Sequence, residues 1–167
     1  MVVKFKKLDE GAILPKKATA GSAAYDLYVP KNFVVKPGRQ IVPLCFAMEM
    51  ENGYEALIDA RSGFSAKGME GHTAYRKFKE TPINDIDTSD INPSRFDCDV
   101  IEGKVDADYR LGVGVIIHNR DSRTFILKEG TRLAQMTFHK VEEVEWVETD
   151  TLSETDRDGG FGSTGVK

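Results

Sequence analysis

Apolar residues recur at every second position in several short runs, each closed by a turn signal, and that spacing excludes a helical bundle. Phe46, Met48 and Met50 share one face of an extended segment. After Glu51 and the Asn52-Gly53 pair, Tyr54-Glu55-Ala56-Leu57-Ile58 alternates again. Asn-Gly accepts positive φ at both turn positions, so a tight type I′ hairpin is predicted between these two segments. Pro37-Gly38 marks a second turn, between Phe33-Val34-Val35 and Ile41-Val42. Val113, Val115 and Ile117 alternate up to Asn119-Arg120-Asp121, and Phe125 and Leu127 follow before Glu129-Gly130. Ala134, Met136 and Phe138 make a third apolar face, with Gln135, Thr137 and His139 opposite. Many short strands at turn-punctuated spacing predict an all-β sandwich, jelly roll or barrel. Any helix is short.

The 167 residues fit one domain, and a core of that size leaves room for stabilisation by oligomerisation. A formal net charge of −4 excludes a broad basic field for nucleic acid, although a local basic pocket is compatible with it. No apolar run approaches the roughly 20 residues that cross a bilayer. The basic start, MVVKFKKLDE, is not followed by the apolar stretch of a secretory signal. Cys45 and Cys98 stand far apart, without metal-ligand spacing, and read as reduced thiols of a cytoplasmic or otherwise intracellular protein.

Two stretches break the alternation. Residues 69–102 are polar, hold Pro82 and Pro93, and read as an excursion without steady periodicity. Residues 151–167, rich in Ser, Thr, Gly and Asp, read as a flexible arm following a body of residues 1–150. Trp146, beside Val144, is expected as a half-buried strand residue.

Five segments combine glycine, charge and a small hydroxyl: Ala20–Leu27 with Asp26; Ala60–Gly68 with Arg61, Ser62 and Gly63; Gly103–Arg110; Gly130–Met136 with Gln135; and Arg157–Gly165. Glycine lets backbone N–H groups approach an oxyanion, hydroxyls add donors, and arginine supplies a forked, permanently charged partner. That inventory suits a polyphosphate. GxxxxGK[ST] occurs nowhere, which disfavours P-loop phosphoryl transfer. Taken singly, each segment also reads as an ordinary turn, a solvated loop or a frayed end.

Taken in order, the five resemble the motifs of the trimeric dUTPase family, from about residue 20 onward and apart from 69–102. Val105-Asp106-Ala107-Asp108-Tyr109-Arg110 and Gly159-Gly160-Phe161-Gly162-Ser163-Thr164-Gly165 are the most specific matches. The resemblance implies a distorted jelly roll, a homotrimer, and hydrolysis of dUTP to dUMP and pyrophosphate with Mg²⁺. It implies Asp106 as the carboxylate that activates water for attack at the α-phosphorus, and Tyr109 as the ring against the deoxyribose. Arg61, Ser62, Gly63 and Gln135 would grip phosphates, with Arg61 to Gly63 opening a short helix and Asp26 supporting the phosphate and metal network. No direct protein ligand to the metal is expected, since magnesium takes phosphate oxygens and waters. The C-terminal arm would cross to a neighbouring subunit. Phe161 would stack on uracil while Arg157, Gly162, Ser163 and Thr164 close on the phosphates.

The match departs from the family in spacing. Arg157 stands one residue nearer the final glycines than is usual, Ala60 replaces a usual proline, and 69–102 separates the second and third motifs widely. That stretch is expected to be a tolerated surface insertion, so deleting 70–100 is expected to leave some hydrolysis. The sharper reading makes it an accessory module that contacts a regulatory protein partner or covers the site. Two other functions compete: a dCTP deaminase on the same fold, and a nucleotide-gated binder without catalysis.

Overall fold

In the computed structural model, residues 1–73 and 93–156 are described; Arg157, Phe161, Gly162, Ser163 and Thr164 lie outside them. The elements are β1 (Lys4–Lys7), β2 (Tyr25–Tyr28), β3 (Phe33–Val35), β4 (Gly38–Pro43), β5 (Phe46–Glu49), β6 (Tyr54–Asp59), α1 (Ser62–Lys67), β7 (Met69–Thr73), β8 (Ser94–Phe96), β9 (Cys98–Ile101), β10 (Gly103–Val105), β11 (Gly114–Asn119), β12 (Phe125–Leu127) and β13 (Arg132–Lys140). The strands pair antiparallel in four small sheets, ordered β1-β5, β10-β6-β13-β2, β4-β11-β9 and β3-β12-β7-β8. This is the all-β, jelly-roll-like architecture predicted from the alternation. Among the described residues no helix is long and apolar enough to cross a membrane.

The alternating positions supply the core. Phe46, Met48 and Met50, then Ala56 and Ile58, then Val113, Val115 and Ile117, then Ala134 and Met136 are all buried in one apolar cluster. In β12 Ile126 is buried beside Phe125 and Leu127. The strand pairs on both sides, with β3 and β7, and both of its faces are covered, so its side chains do not alternate between core and water. Phe125 stacks on Phe96 at 4.1 Å between ring centroids. Buried Asn119 closes the β11–β12 turn: its Nδ2 donates to the Arg123 carbonyl at 3.0 Å, and its Oδ1 accepts from the Asp121 N–H at 3.0 Å.

The two predicted turns exist, but neither makes a hairpin. β5 pairs with β1, whereas β6 pairs with β10 and β13. Gly53 has φ +81°, and Cys45 is the single non-glycine residue with positive φ among those described, so Asn52 does not adopt the type I′ conformation. The pair moves the chain from one sheet to another. Gly38, at φ +97°, does the same between β3 and β4, which also lie in different sheets. A tight turn bends the chain, but long-range pairing chooses each strand's neighbour.

The excursion expected over 69–102 is corrected at both ends. Met69, Phe96, Cys98 and Val100 are buried, and β7, β8 and β9 belong to the sheets. These strands are three to five residues long, and their few apolar side chains fall below what periodicity detects. Deleting 70–100 would therefore remove core strands, and retained activity is no longer expected of it. Trp146 also departs from its expected place: it lies outside any strand and is 90% exposed. Residues 151–156 are exposed and without regular structure.

Gly71 passes so close to Phe125 that a Cβ would lie 2.3 Å from the ring. Gly71→Ala should lower stability by about 1–3 kcal/mol through overpacking, read as a lower midpoint in denaturant. Burial, with Asp99 and Asp97 adding to it, pushes the Cys98 thiol from its ordinary 9.0 up to about 12. The unfolded thiol thus ionises first, so folding stability should decline between those two pH values. In mildly alkaline buffer Cys98 should react with a thiol reagent only on unfolding, and Cys98→Ala should reduce the alkaline decline.

Candidate active site

The site is built where β6 hands the chain to α1. Asp59 ends β6, Ala60 packs against the core, and Arg61 is the residue before the helix. Phe64 is buried and anchors the first turn. Gly68, at φ +77°, ends the helix while its N–H donates to the Phe64 carbonyl at 2.8 Å. A side chain at Gly68 would also strike the Phe96 carbonyl oxygen, at 2.6 Å from its Cβ.

Asp26, on β2, organises the charges. It is 8% exposed. Arg61 Nε donates to its Oδ1 at 2.9 Å, and Arg132 Nη1 lies 3.5 Å from its Oδ2. Arg61 Nη1 also donates to the Arg132 carbonyl at 3.2 Å, and the guanidinium stands 5.7 Å from the Phe64 ring centroid. A carboxylate so enclosed is tolerable only because both oxygens face guanidinium groups. One buried anion thereby ties β2, the entrance to α1 and the start of β13 together.

Gln135 sits on β13 between two carboxylate-bearing neighbours. Its Cα pairs with that of Asp26 on one side and that of Asp59 on the other. Asp59 Oδ1 is buried without a hydrogen-bond partner among the described residues. A cavity of about 390 Å³ opens over Asp26 and Gln135, lined also by Ser22, Arg61, Ser62 and Gly63 among others. Guanidinium, hydroxyl and amide donors converge there, as an oxyanion requires. A Cβ at Gly63 would meet nothing within 4 Å, so packing does not demand glycine at that position.

Asp106 and Tyr109 lie elsewhere, in the loop after β10. The Tyr109 N–H donates to the Asp106 carbonyl at 3.1 Å, and the Tyr109 hydroxyl donates to the Gly112 carbonyl at 3.1 Å. Asp106 is exposed. Tyr109, 37% exposed, borders a separate cavity of about 180 Å³ with Ile58, Lys104, Val105, Val113 and Gly114. Beside it, Lys104 is held above its usual range by its bonds to Glu55, at 2.7 and 2.8 Å. The two cavities share no lining residue.

The chain thus brings together Asp26, Arg61, Ser62, Gly63 and Gln135, and keeps Asp106 and Tyr109 apart from them. The sequence reading gave Arg132 no role. Its signal was an arginine beside Gly130 within a segment already singled out, on a strand whose register shifts between Arg132 and Ala134.

Known proteins match nearly the whole chain. The family model described as dUTPase matches residues 10–80 and 89–165. A deoxyuridine 5′-triphosphate nucleotidohydrolase of Nautilia profundicola is 34% identical, over 99% of this chain and 99% of its own. One of Hydrogenobaculum sp. is 38% identical, over 97% and 96%. A dUTPase mutant of Staphylococcus bacteriophage 80alpha, solved with dUpNHpp, superposes with a TM-score of 0.75 at 20% identity, covering 99% of both chains. A mutant dUTPase from phage phi11 of S. aureus, described as coordinating a structural Mg(II) ion, gives 0.68 at 20% identity, covering 90% and 98%. The chain belongs to the dUTPase family. Only residues 81–88 fall outside the family match between its two matched parts, far fewer than the 69–102 expected as an insertion.

Asp26→Ala leaves two neighbouring guanidinium groups without their shared anion. Because Arg61 keeps some solvent access, we expect a loss of about 2 kcal/mol in folding stability, below the full cost of breaking a buried pair. Urea denaturation of the variant against wild type measures it.

Proposed function

We propose that this chain hydrolyses dUTP to dUMP and pyrophosphate, limiting uracil in DNA and supplying dUMP for thymidylate synthesis. The observation that carries the reading is the donor-lined cavity over Asp26, Arg61, Ser62, Gly63 and Gln135 in a member of this family. The triphosphate lies along that cavity. The open space in front of Gly63 leaves room for a phosphate, and Gln135 offers an uncharged donor to a phosphate oxygen or a water.

Asp106 accepts the proton of a water that attacks the α-phosphorus, and pyrophosphate leaves. Positioning and charge neutralisation supply most of the acceleration. Tyr109 packs against the deoxyribose and leaves no space for a 2′-hydroxyl. The backbone around β10 and β11 reads the uracil edge.

The functional unit is a homotrimer. Support comes from the separation of the two cavities: a site that needs both Gln135 and Asp106 is completed when one copy's Tyr109 loop meets another copy's Gln135 face. Further support comes from residues 141–152, where Val144, Trp146, Val147 and Leu152 stand exposed. Such a segment gains most by crossing to a neighbour. Arg157, Phe161, Gly162, Ser163 and Thr164 follow it in sequence and close over the nucleotide from the adjoining subunit, with Phe161 on the base.

Mg²⁺ fits this cavity on the chemistry of its walls. Asp26, Gln135 and Ser22 present oxygens that can accept from the waters of a hard cation. When bound, the ion would neutralise triphosphate charge and fix its shape. Among the described residues no group of three or more His, Cys, Asp or Glu side chains is arranged to hold a metal. In the proposed site the ion would rest on phosphate oxygens and water.

Pyrophosphate release from dUTP, UTP, dTTP and dCTP tests the reading. Wild type with Mg²⁺ should favour dUTP, and Asp106→Asn should lose about 10²–10⁴-fold in kcat, the span of a general base. Tyr109→Ala should erode discrimination against UTP more than it slows dUTP. A wild-type trimer without preference for dUTP, or one releasing ammonia from dCTP, overturns the proposal.

A further inference from the structure

Of the row Asp26, Gln135 and Asp59, the proposed phosphate site leaves only Asp59 without a role. Its Cα stands opposite that of Gln135 in the antiparallel register, as does that of Asp26 on the other side. Directly opposite residues of such a pair project from the same face with Cβ atoms about 4.5–5.5 Å apart, so Asp59 and Gln135 are within reach of each other. Gln135 lines the cavity and Asp59 does not. Whatever Asp59 does for a ligand there passes through Gln135.

The two carboxylates flanking Gln135 differ in what they have left to offer. Both oxygens of Asp26 face guanidinium groups, Arg61 at 2.9 Å and Arg132 at 3.5 Å. Asp59 Oδ1 is buried and has no hydrogen-bond partner among the described residues. A buried acceptor without a donor costs free energy, so a donor that reaches it gains more than one offered to water. Gln135 carries an amide directly opposite in register. The amide nitrogen has two hydrogens that point in different directions, whereas the amide oxygen only accepts. The Asp59 carboxylate likewise only accepts. It repels the amide oxygen and attracts the NH₂ group, and so selects between the two flips of the Gln135 side chain. With one hydrogen on Asp59, the other remains for the cavity.

We infer that Asp59 is a positioning residue that holds the Gln135 amide with Nε2 directed into the cavity, toward a phosphate oxygen. The inference rests on the phosphate-binding reading above and adds to it the orientation of its uncharged donor. Gln135 donates one N–H to Asp59 Oδ1 and the other to the ligand. Without that acceptor the amide is shared between a flip that donates to phosphate and one that opposes it with oxygen. Simple repulsion has the opposite sign, since a carboxylate near an anion site weakens anion binding. Removing Asp59 therefore has opposite consequences under orientation and under repulsion.

The test titrates the full-length protein calorimetrically with a non-hydrolysable imido analogue of dUTP and Mg²⁺. Asp59→Leu removes the acceptor and keeps a side chain of similar size. It should weaken binding about tenfold, the effect of one hydrogen bond to a charged group. Asp59→Asn keeps a carbonyl acceptor without the charge and should fall between Asp59→Leu and wild type. In a Gln135→Ala background, Asp59→Leu should change affinity less than about threefold, because its effect needs the amide. Circular dichroism and urea midpoints establish that each variant is folded, and Asp59→Ala takes the place of Asp59→Leu should the latter not fold.

Unchanged or tighter binding by Asp59→Leu overturns the inference, as does an Asp59→Asn impaired as much as Asp59→Leu. A loss of equal size with and without Gln135 overturns it too, since a purely structural role for Asp59 does not depend on that amide. The same series with inorganic pyrophosphate and Mg²⁺ probes the cavity without the nucleoside. Wild type that binds pyrophosphate but not the analogue counts against the dUTP reading, and the pyrophosphate series then decides for or against Asp59. Wild type that binds neither overturns both.

Discussion

Asp26 is a carboxylate withdrawn from water on a short strand, and it survives there because Arg61 and Arg132 meet its two oxygens. Much of the structure is subordinate to that arrangement. Arg61 must come at the mouth of α1, so β6 has to end beside β2's partner strand. Arg132 must begin β13, and the register of β13 shifts at that end before pairing with β2 resumes. Neither guanidinium is spent wholly on the carboxylate: each also borders a cavity. The same pairs that make burial of Asp26 tolerable therefore hold two cations at the edge of open, donor-rich space, where an incoming polyanion gains most from charges already fixed in place.

The jelly-roll-like body explains why the chemistry is divided. The sheets commit the buried apolar faces of their strands to one core, leaving polar groups on the outer face of β2, β13 and β6 and in the loop after β10. Asp26, Gln135 and Asp59 stand in a row across three strands because antiparallel register places them opposite one another. Asp106 and Tyr109 are on a different part of the surface, held by local turn bonds. One rigid copy offers half of the proposed machinery at each place. Under the proposed reading, association of copies unites them; the stretch after β13 is exposed, acidic and partly apolar.

Much of this was legible beforehand, residue by residue. The faces Phe46/Met48/Met50, Val113/Val115/Ile117 and Ala134/Met136 were read from period-two spacing, because burying one side of a pleated strand leaves that trace directly in the chain. Arg61, Ser62, Gly63 and Gln135 stood in segments that recurring glycine, hydroxyl and charge singled out, and their grouping came from the resemblance to dUTPases. Arg132 escaped notice because its role depends on a cross-strand neighbour. The strands at Met69–Thr73, Ser94–Phe96 and Cys98–Ile101 escaped because three to five residues hold too few alternations to stand out from a polar surrounding.

Local chemistry alone determined that this chain would be all-β, that Gly38 and Gly53 would turn it, and that the residues proposed to meet phosphate would lie in short glycine-bearing segments. Those properties follow from φ preferences and side-chain type, which act over a few residues. Tertiary structure decided which strands pair, and it separated the strands flanking Asn52-Gly53 into different sheets. It also placed Asp26 between two arginines that are distant in sequence, and kept Asp106 away from Gln135. Such choices depend on hydrogen bonds and burial across long stretches of chain, which no short window of sequence encodes.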